Sequence, residues 1–205
     1  MIRRFISESI IKALFARRLA NVSGHDNVPE GPIILATNHI DWLDWIIVFL
    51  SVAQLKPKRK LYIISKTKNY WIIGDQAIPM SKSYPADSLR LAQSKLTGQA
   101  IMSFYIEGRR NNSPELQPGK TGCARLALMT GLPVVPMGII GPSYPSYSLS
   151  MRHLFNTLKN TQINFGSPLQ WPKQTIDVWD EPLLRTKTRE IMNRLAPLCF
   201  KKYPF

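Results

Sequence analysis

Pro32-Ile33-Ile34-Leu35-Ala36-Thr37-Asn38-His39-Ile40-Asp41-Trp42-Leu43-Asp44 is the stretch on which the reading of this chain turns. Its first six residues form a short apolar run with β-branched members, the pattern of a strand buried on both faces. Asn38 and His39 stand at the end of that strand. Residues 41–53 then read as a helix, opened by an acidic residue that suits a helix N-terminus and carrying Trp45, Ile46, Phe49 and Leu50 inward. A strand that ends in an imidazole and runs straight into a helix sets the ring beside the unpaired N–H groups of the first helical turn. Asp44 follows His39 by five positions, so a tight turn brings its carboxylate to one ring nitrogen, fixes the tautomer and leaves the other nitrogen as a base. Asp41 is a rival for the same contact, and spacing alone does not separate the two.

Outward from this unit the alternation repeats. Residues 61–65, 100–106 and 133–140 read as buried strands, residues 86–96 and 120–130 as helices, and residues 162–165 as a further strand. Residues 181–200 form a closing amphipathic helix with Pro197 as its expected breaking point. The fold class is α/β: a single domain in which helices flank a mixed, largely parallel sheet. At the other end, Ile2, Phe5, Ile6, Ile10, Ala13 and Leu14 share one helical face, with Arg3, Arg4, Lys12, Arg17 and Arg18 around the rest. The chain thus divides into an N-terminal basic amphipathic helix, residues 1–21, and a domain over residues 22–205. That helix either packs on the domain's core or lies in a membrane interface, where each basic residue near an anionic leaflet adds ~1 kcal/mol of attraction.

Length and composition narrow the function. The 205 residues fit one domain, and 44% hydrophobic residues supply a full core, which excludes disorder and a disulfide-stapled miniprotein. Twenty-seven Lys and Arg against 13 Asp and Glu leave a formal charge of +14, so the expected partner is anionic: nucleic acid, phospholipid or a phosphorylated substrate. The two cysteines, Cys123 and Cys199, sit in apolar surroundings and read as buried thiols in a reducing compartment. The longest uninterrupted apolar run, residues 45–50, falls far short of the ~20 residues that cross a bilayer. Ser7, Glu8, Ser9 and Lys12 interrupt what would be the apolar segment of a signal peptide.

Glu107-Gly108-Arg109-Arg110 closes the strand over residues 100–106, and a strand end with a flexible Gly and two guanidinium groups suits recognition of phosphate. Pro118-Gly119-Lys120-Thr121 is not a P-loop, because Pro114 stands where that loop needs Gly. No Ser occupies a Gly-x-Ser-x-Gly setting and neither Cys lies near a strand-end loop, so the nucleophile belongs to the substrate.

In this order the pieces resemble the glycerolipid acyltransferases typified by 1-acylglycerol-3-phosphate acyltransferase. The first family motif, NHxxxxD, is Asn38-His39-Ile40-Asp41-Trp42-Leu43-Asp44 here. The third, usually Phe-Pro-Glu-Gly-Thr-Arg-Ser, resembles Tyr105-Ile106-Glu107-Gly108-Arg109-Arg110-Asn111, and the fourth resembles Leu132-Pro133-Val134-Val135-Pro136-Met137. The resemblance spans residues 22–168. It implies His39 as general base toward an acceptor hydroxyl, Asp44 as the group that orients it, and Asn38, Lys82, Glu107, Gly108, Arg109 and Arg110 as substrate-binding residues. It implies no cofactor and no metal, an acyl carrier protein or coenzyme A thioester as donor, and a peripheral site at the cytoplasmic face of an anionic phospholipid membrane. For the oxyanion that develops during transfer, the backbone N–H groups of residues 40–42 are the expected donors.

Three departures stand out: Arg109 replaces the Thr of the third motif, Ile106 its Pro, and Lys82 the Arg of the second. The resemblance implies 1-acylglycerol-3-phosphate as the acceptor, and these departures open a different lysolipid or a non-glycerol alcohol as the alternative. The apolar residues 70–73 join the basic helix as a candidate membrane surface. Two competing readings are a lipid binder without turnover and a nucleic-acid binder; against the latter, the chain lacks zinc-finger spacing and aromatic RNA-binding signatures.

Overall fold

A computed structural model describes residues 19, 21–55, 59–65, 76–80, 85–174 and 180–205. Of the expected N-terminal helix, residues 1–18 and 20 lie outside the described residues, as do residues 70–73 and Lys82, while Asn21 opens the first strand.

Among the described residues, seven strands and six α-helices alternate: β1 (Asn21–Ser23), β2 (Ile33–Thr37), α1 (Asp44–Leu55), β3 (Lys60–Ser65), β4 (Ala77–Pro79), α2 (Pro85–Lys95), β5 (Ala100–Tyr105), α3 (Gly122–Thr130), β6 (Val134–Ile140), α4 (Tyr147–Arg152), α5 (Leu154–Asn160), β7 (Gln162–Phe165) and α6 (Glu181–Leu198). They build one sheet in the order β1-β7-β6-β2-β5-β3-β4. β2 lies between β5 and β6 and runs parallel to both, with Thr37 opposite Tyr105 on one side and Met137 on the other. Among the described strand pairs, only β6–β7 is antiparallel.

Every residue of β2 is buried, as its unbroken apolar run requires. Ile33 and Leu35 pack toward α1, whereas Ile34 and Ala36 pack with Leu89 of α2, Leu126 of α3 and Leu195 of α6. Each fully buried Ile or Leu contributes roughly 1.5–3 kcal/mol, so this strand is the stiffest support the site has. The chain leaves β2 through α1 on one face and β5 through α3 on the other, and the carboxyl ends of these neighbouring strands frame a crevice between loops. α3 stops at Gly131, whose left-handed backbone (φ 71°) lets its N–H reach the Ala127 carbonyl at 2.8 Å.

The structure moves two expected boundaries. α1 begins at Asp44 rather than at Asp41, because Asp41 accepts the Leu43 N–H outside the helix, as a capping residue does. α6 continues through Pro197 to Leu198 and ends one residue later at Cys199, so the proline, which cannot donate to the ladder, stands at the helix's close and does not break it earlier. The short strands β1 and β4 and the helices α4 and α5 were not anticipated. No helix among the described residues is long and apolar enough to cross a membrane.

Candidate active site

The turn between β2 and α1 closes on one carboxylate. Asp44 is fully buried, and its Oδ2 lies 2.7 Å from His39 Nδ1. The same oxygen accepts the backbone N–H of Ile40 at 2.7 Å and that of Asp41 at 3.0 Å. Two backbone N–H groups already point at this oxygen, so it meets the ring as an acceptor, the tautomer that fits has its hydrogen on Nδ1, and Nε2 keeps its lone pair. The imidazole side chain is 20% exposed, enough for a substrate hydroxyl to meet it. Its ring stacks on Tyr105 at 4.2 Å between centroids and 19° between planes.

Asp41 loses the rivalry with Asp44 for His39 but takes a task of its own. Its Oδ1 accepts the Leu43 N–H, and its Oδ2 accepts both the Tyr144 N–H and the Ser150 hydroxyl at 2.9 Å. It ties the β2–α1 turn to α4. The same geometry removes two of the three expected oxyanion donors: the Ile40 and Asp41 N–H groups point inward at Asp44, because the turn folds around that side chain before the helix begins.

The loop after β5 sits beside this turn because β2 and β5 are parallel neighbours in register. Ile106 donates its N–H to the Thr37 carbonyl at 3.0 Å, and Asn111 donates its N–H to the carbonyl of His39 itself at 2.7 Å. Glu107 is 2% exposed, and its Oε2 accepts from Asn111 Nδ2 at 2.6 Å and from the Gln117 N–H at 2.8 Å. Gly108 turns the chain at φ 72°, where a Cβ would also press on the Lys120 side chain at 3.2 Å. Arg110 then swings over the indole of Trp42, its guanidinium carbon 3.2 Å from the ring centroid.

The structure therefore divides the expected substrate-binding residues. Asn38 and Glu107 do not face the crevice. Asn38 is fully buried with its amide on the backbone of Ile139, accepting at 2.7 Å and donating at 2.8 Å, so it fastens the end of β2 to β6. Glu107 braces the loop from beneath. Gly108 acts through its backbone conformation, whereas Arg109 and Arg110 are exposed. Arg109 bonds Gln117. Sequence reasoning missed Trp42, Tyr105, Asn111 and Lys201, whose Nζ donates to the Asn111 carbonyl at 2.7 Å. Their roles depend on strand register and on the C-terminal tail, which no local pattern announces.

Cys123 and Cys199 are free and buried, as expected. Burial pushes the Cys123 thiol well above its ordinary range. Burial also raises Cys199, with help from the charge of Glu107 and opposition from Lys201, up to about 11. Both stay protonated at neutral pH, which leaves neither as a nucleophile. A cavity of about 480 Å³ lined by His25, Asp26, Val28, Gln54 and Leu55 opens at the other end of the sheet, since β1 runs against β2 and α1 ends there.

The Acyltransferase family model matches residues 20–140, more than half of the chain. Human 1-acyl-sn-glycerol-3-phosphate acyltransferase alpha is 26% identical over 192 residues, covering 89% of this chain and 65% of that protein. The chloroplastic 1-acyl-sn-glycerol-3-phosphate acyltransferase BAT2 of Brassica napus is 29% identical over 133 residues, covering 59% and 37%. The chain thus spans less than two thirds of the length of these relatives. The crystal structure of PlsC, the 1-acyl-sn-glycerophosphate acyltransferase of Thermotoga maritima, matches with a TM-score of 0.57 at 20% identity, covering 91% of this chain and 77% of that one, which fixes the fold. With the family model spanning β1 to β6 and the turn and loop of the site inside it, the chain belongs to the Acyltransferase family.

Proposed function

We propose that this protein transfers a fatty acyl group from an acyl carrier protein or coenzyme A thioester to the hydroxyl of a lysophospholipid, with 1-acylglycerol-3-phosphate as the acceptor its chemistry suits best. The observation that carries the reading is the His39–Asp44 pair, with Nδ1 bound at 2.7 Å and the imidazole partly exposed at the end of a fully buried strand. Nε2 removes the proton of the acceptor hydroxyl as its oxygen attacks the thioester carbonyl. The tetrahedral adduct then collapses: the C–S bond breaks, the thiolate takes the proton back from Nε2, and ester and free thiol leave. Asp44 holds the imidazolium through both steps, and the exposed Arg109 and Arg110 attract the anionic headgroup from the adjacent strand end. The enzyme works peripherally at the cytoplasmic membrane face, in keeping with its charge of +14.

The test is turnover on a panel of lysolipids with both donors, comparing wild type with His39→Ala. Positioned base catalysis is worth roughly 10²- to 10⁴-fold, and a loss of that size is expected. A folded His39→Ala protein that turns over like wild type refutes the proposed base.

A further inference from the structure

The helices that sequence reading missed, α4 and α5, carry an apolar surface next to the site. Tyr147, Met151 and Phe155 follow one another at intervals of four and are 47%, 41% and 55% exposed, while Ser150, Thr157 and Leu158 turn inward. Leu158 and Leu154 join the core against α1, which fixes which side of the pair faces outward. Three large hydrophobic residues on the outer side, beyond the Leu154 and Leu158 that the core uses, are more than helices serving only their own domain need.

The charge around this surface has one sign. No Asp or Glu occurs between Glu115 and Asp177, whereas Arg152 and Lys159 stand exposed on α4 and α5 themselves. An apolar face flanked by cations with no carboxylate in the surrounding sequence complements anionic headgroups above acyl chains. The surface is also anchored to the catalytic turn: Ser150 and the Tyr144 N–H both bind Asp41, and Tyr147 meets the Trp42 ring edge-on at 6.4 Å.

We infer that α4 and α5 dock on an anionic phospholipid bilayer, with Met151 and Phe155 entering the headgroup boundary and Arg152 and Lys159 on the phosphates. This docking holds the crevice of His39 at the surface where a lysolipid resides. The inference deepens the acyltransferase reading, on which it rests for its purpose, but its test reads binding and not turnover, so either can fail alone.

The full chain is labelled with an environment-sensitive fluorophore at Met151→Cys and, as a control, at Leu91→Cys on α2, which packs on the opposite face of the sheet. The native thiols are buried. With vesicles of phosphatidylcholine plus phosphatidylglycerol, the label at position 151 is expected to shift to the blue and that at 91 to stay unchanged. Met151→Ser with Phe155→Ser, checked for an unaltered melting temperature, is expected to weaken vesicle binding by about tenfold. An unshifted label at 151 on vesicle-bound protein overturns the inference. So does a double variant that keeps vesicle binding but loses self-association, which would make the face a contact between copies of this chain.

Discussion

The two strand ends that form the site are built in opposite ways. After β2, the pairing of His39 is local, because Asp44 gathers donors from positions 39, 40 and 41 within one stretch of chain, while Asp41 and the His39 carbonyl tie that stretch to distant loops. After β5, the loop is held from far away: Lys201 reaches Asn111 across 90 positions, and the Lys202 backbone pairs with Pro114 and Leu116. The difference teaches that the setting of the proposed base is locally encoded, whereas the loop proposed to grip the headgroup adds to its local Glu107 contacts a clamp from the C-terminal tail.

The largest break in this comparison is expected from Asp44→Asn. The amide cannot replace an anion that accepts three donors, and a buried N–H left without its acceptor costs about 1–3 kcal/mol. The imidazole loses both its tautomer lock and its counter-charge, so kcat should fall by roughly 10²- to 10⁴-fold. KM for the acceptor should stay near wild type, because Arg109 and Arg110 stand on the other strand end. Steady-state kinetics on the purified variant separates the two constants. A variant that loses acceptor affinity while kcat holds would show that the turn and the loop are one unit.

Removing residues 201–205 probes the other half. The deletion takes away the Lys201 contact to Asn111 and both backbone bonds of Lys202, each worth about 0.5–1.5 kcal/mol. The loop should loosen, raising KM for the acceptor by about tenfold, with kcat within about twofold of wild type. Equal losses in kcat and KM, or a lost kcat alone, would contradict the division of labour.

The same contrast explains what could be read from sequence. The strand of residues 33–37, the pairing of His39 with a carboxylate in the turn, and the loop at Glu107 were legible because each follows from a periodicity or a spacing of a few residues. The inward aim of the Ile40 and Asp41 N–H groups was not, since it depends on which of two carboxylates closes the turn. Nor was the role of Asn38, whose amide answers Ile139 about a hundred positions away. α4 and α5 escaped notice for a related reason: they are short, and with Tyr147, Met151 and Phe155 outward only Leu154 and Leu158 face the core, too few to mark a stripe.

Cys199 offers the smallest and sharpest probe, because it belongs to the loop's side of the molecule, beside Glu107 and Lys201. Its thiol ionises at about 9.0 in an unfolded chain and at about 11 in the folded one, mainly through burial. Below pH 9 both states keep the proton and the group adds no pH dependence. Between about 9 and 11 the unfolded state releases it while the folded state does not, so stability falls as pH rises. Two units of pKa correspond to roughly 2–3 kcal/mol at the top of that window. Denaturant melts of wild type and Cys199→Ala from neutral pH to 11 should therefore converge, the wild type declining more steeply by about that amount. Parallel declines would mean that the thiol reaches solvent, and that the packing behind the loop is looser than the packing behind the turn demands.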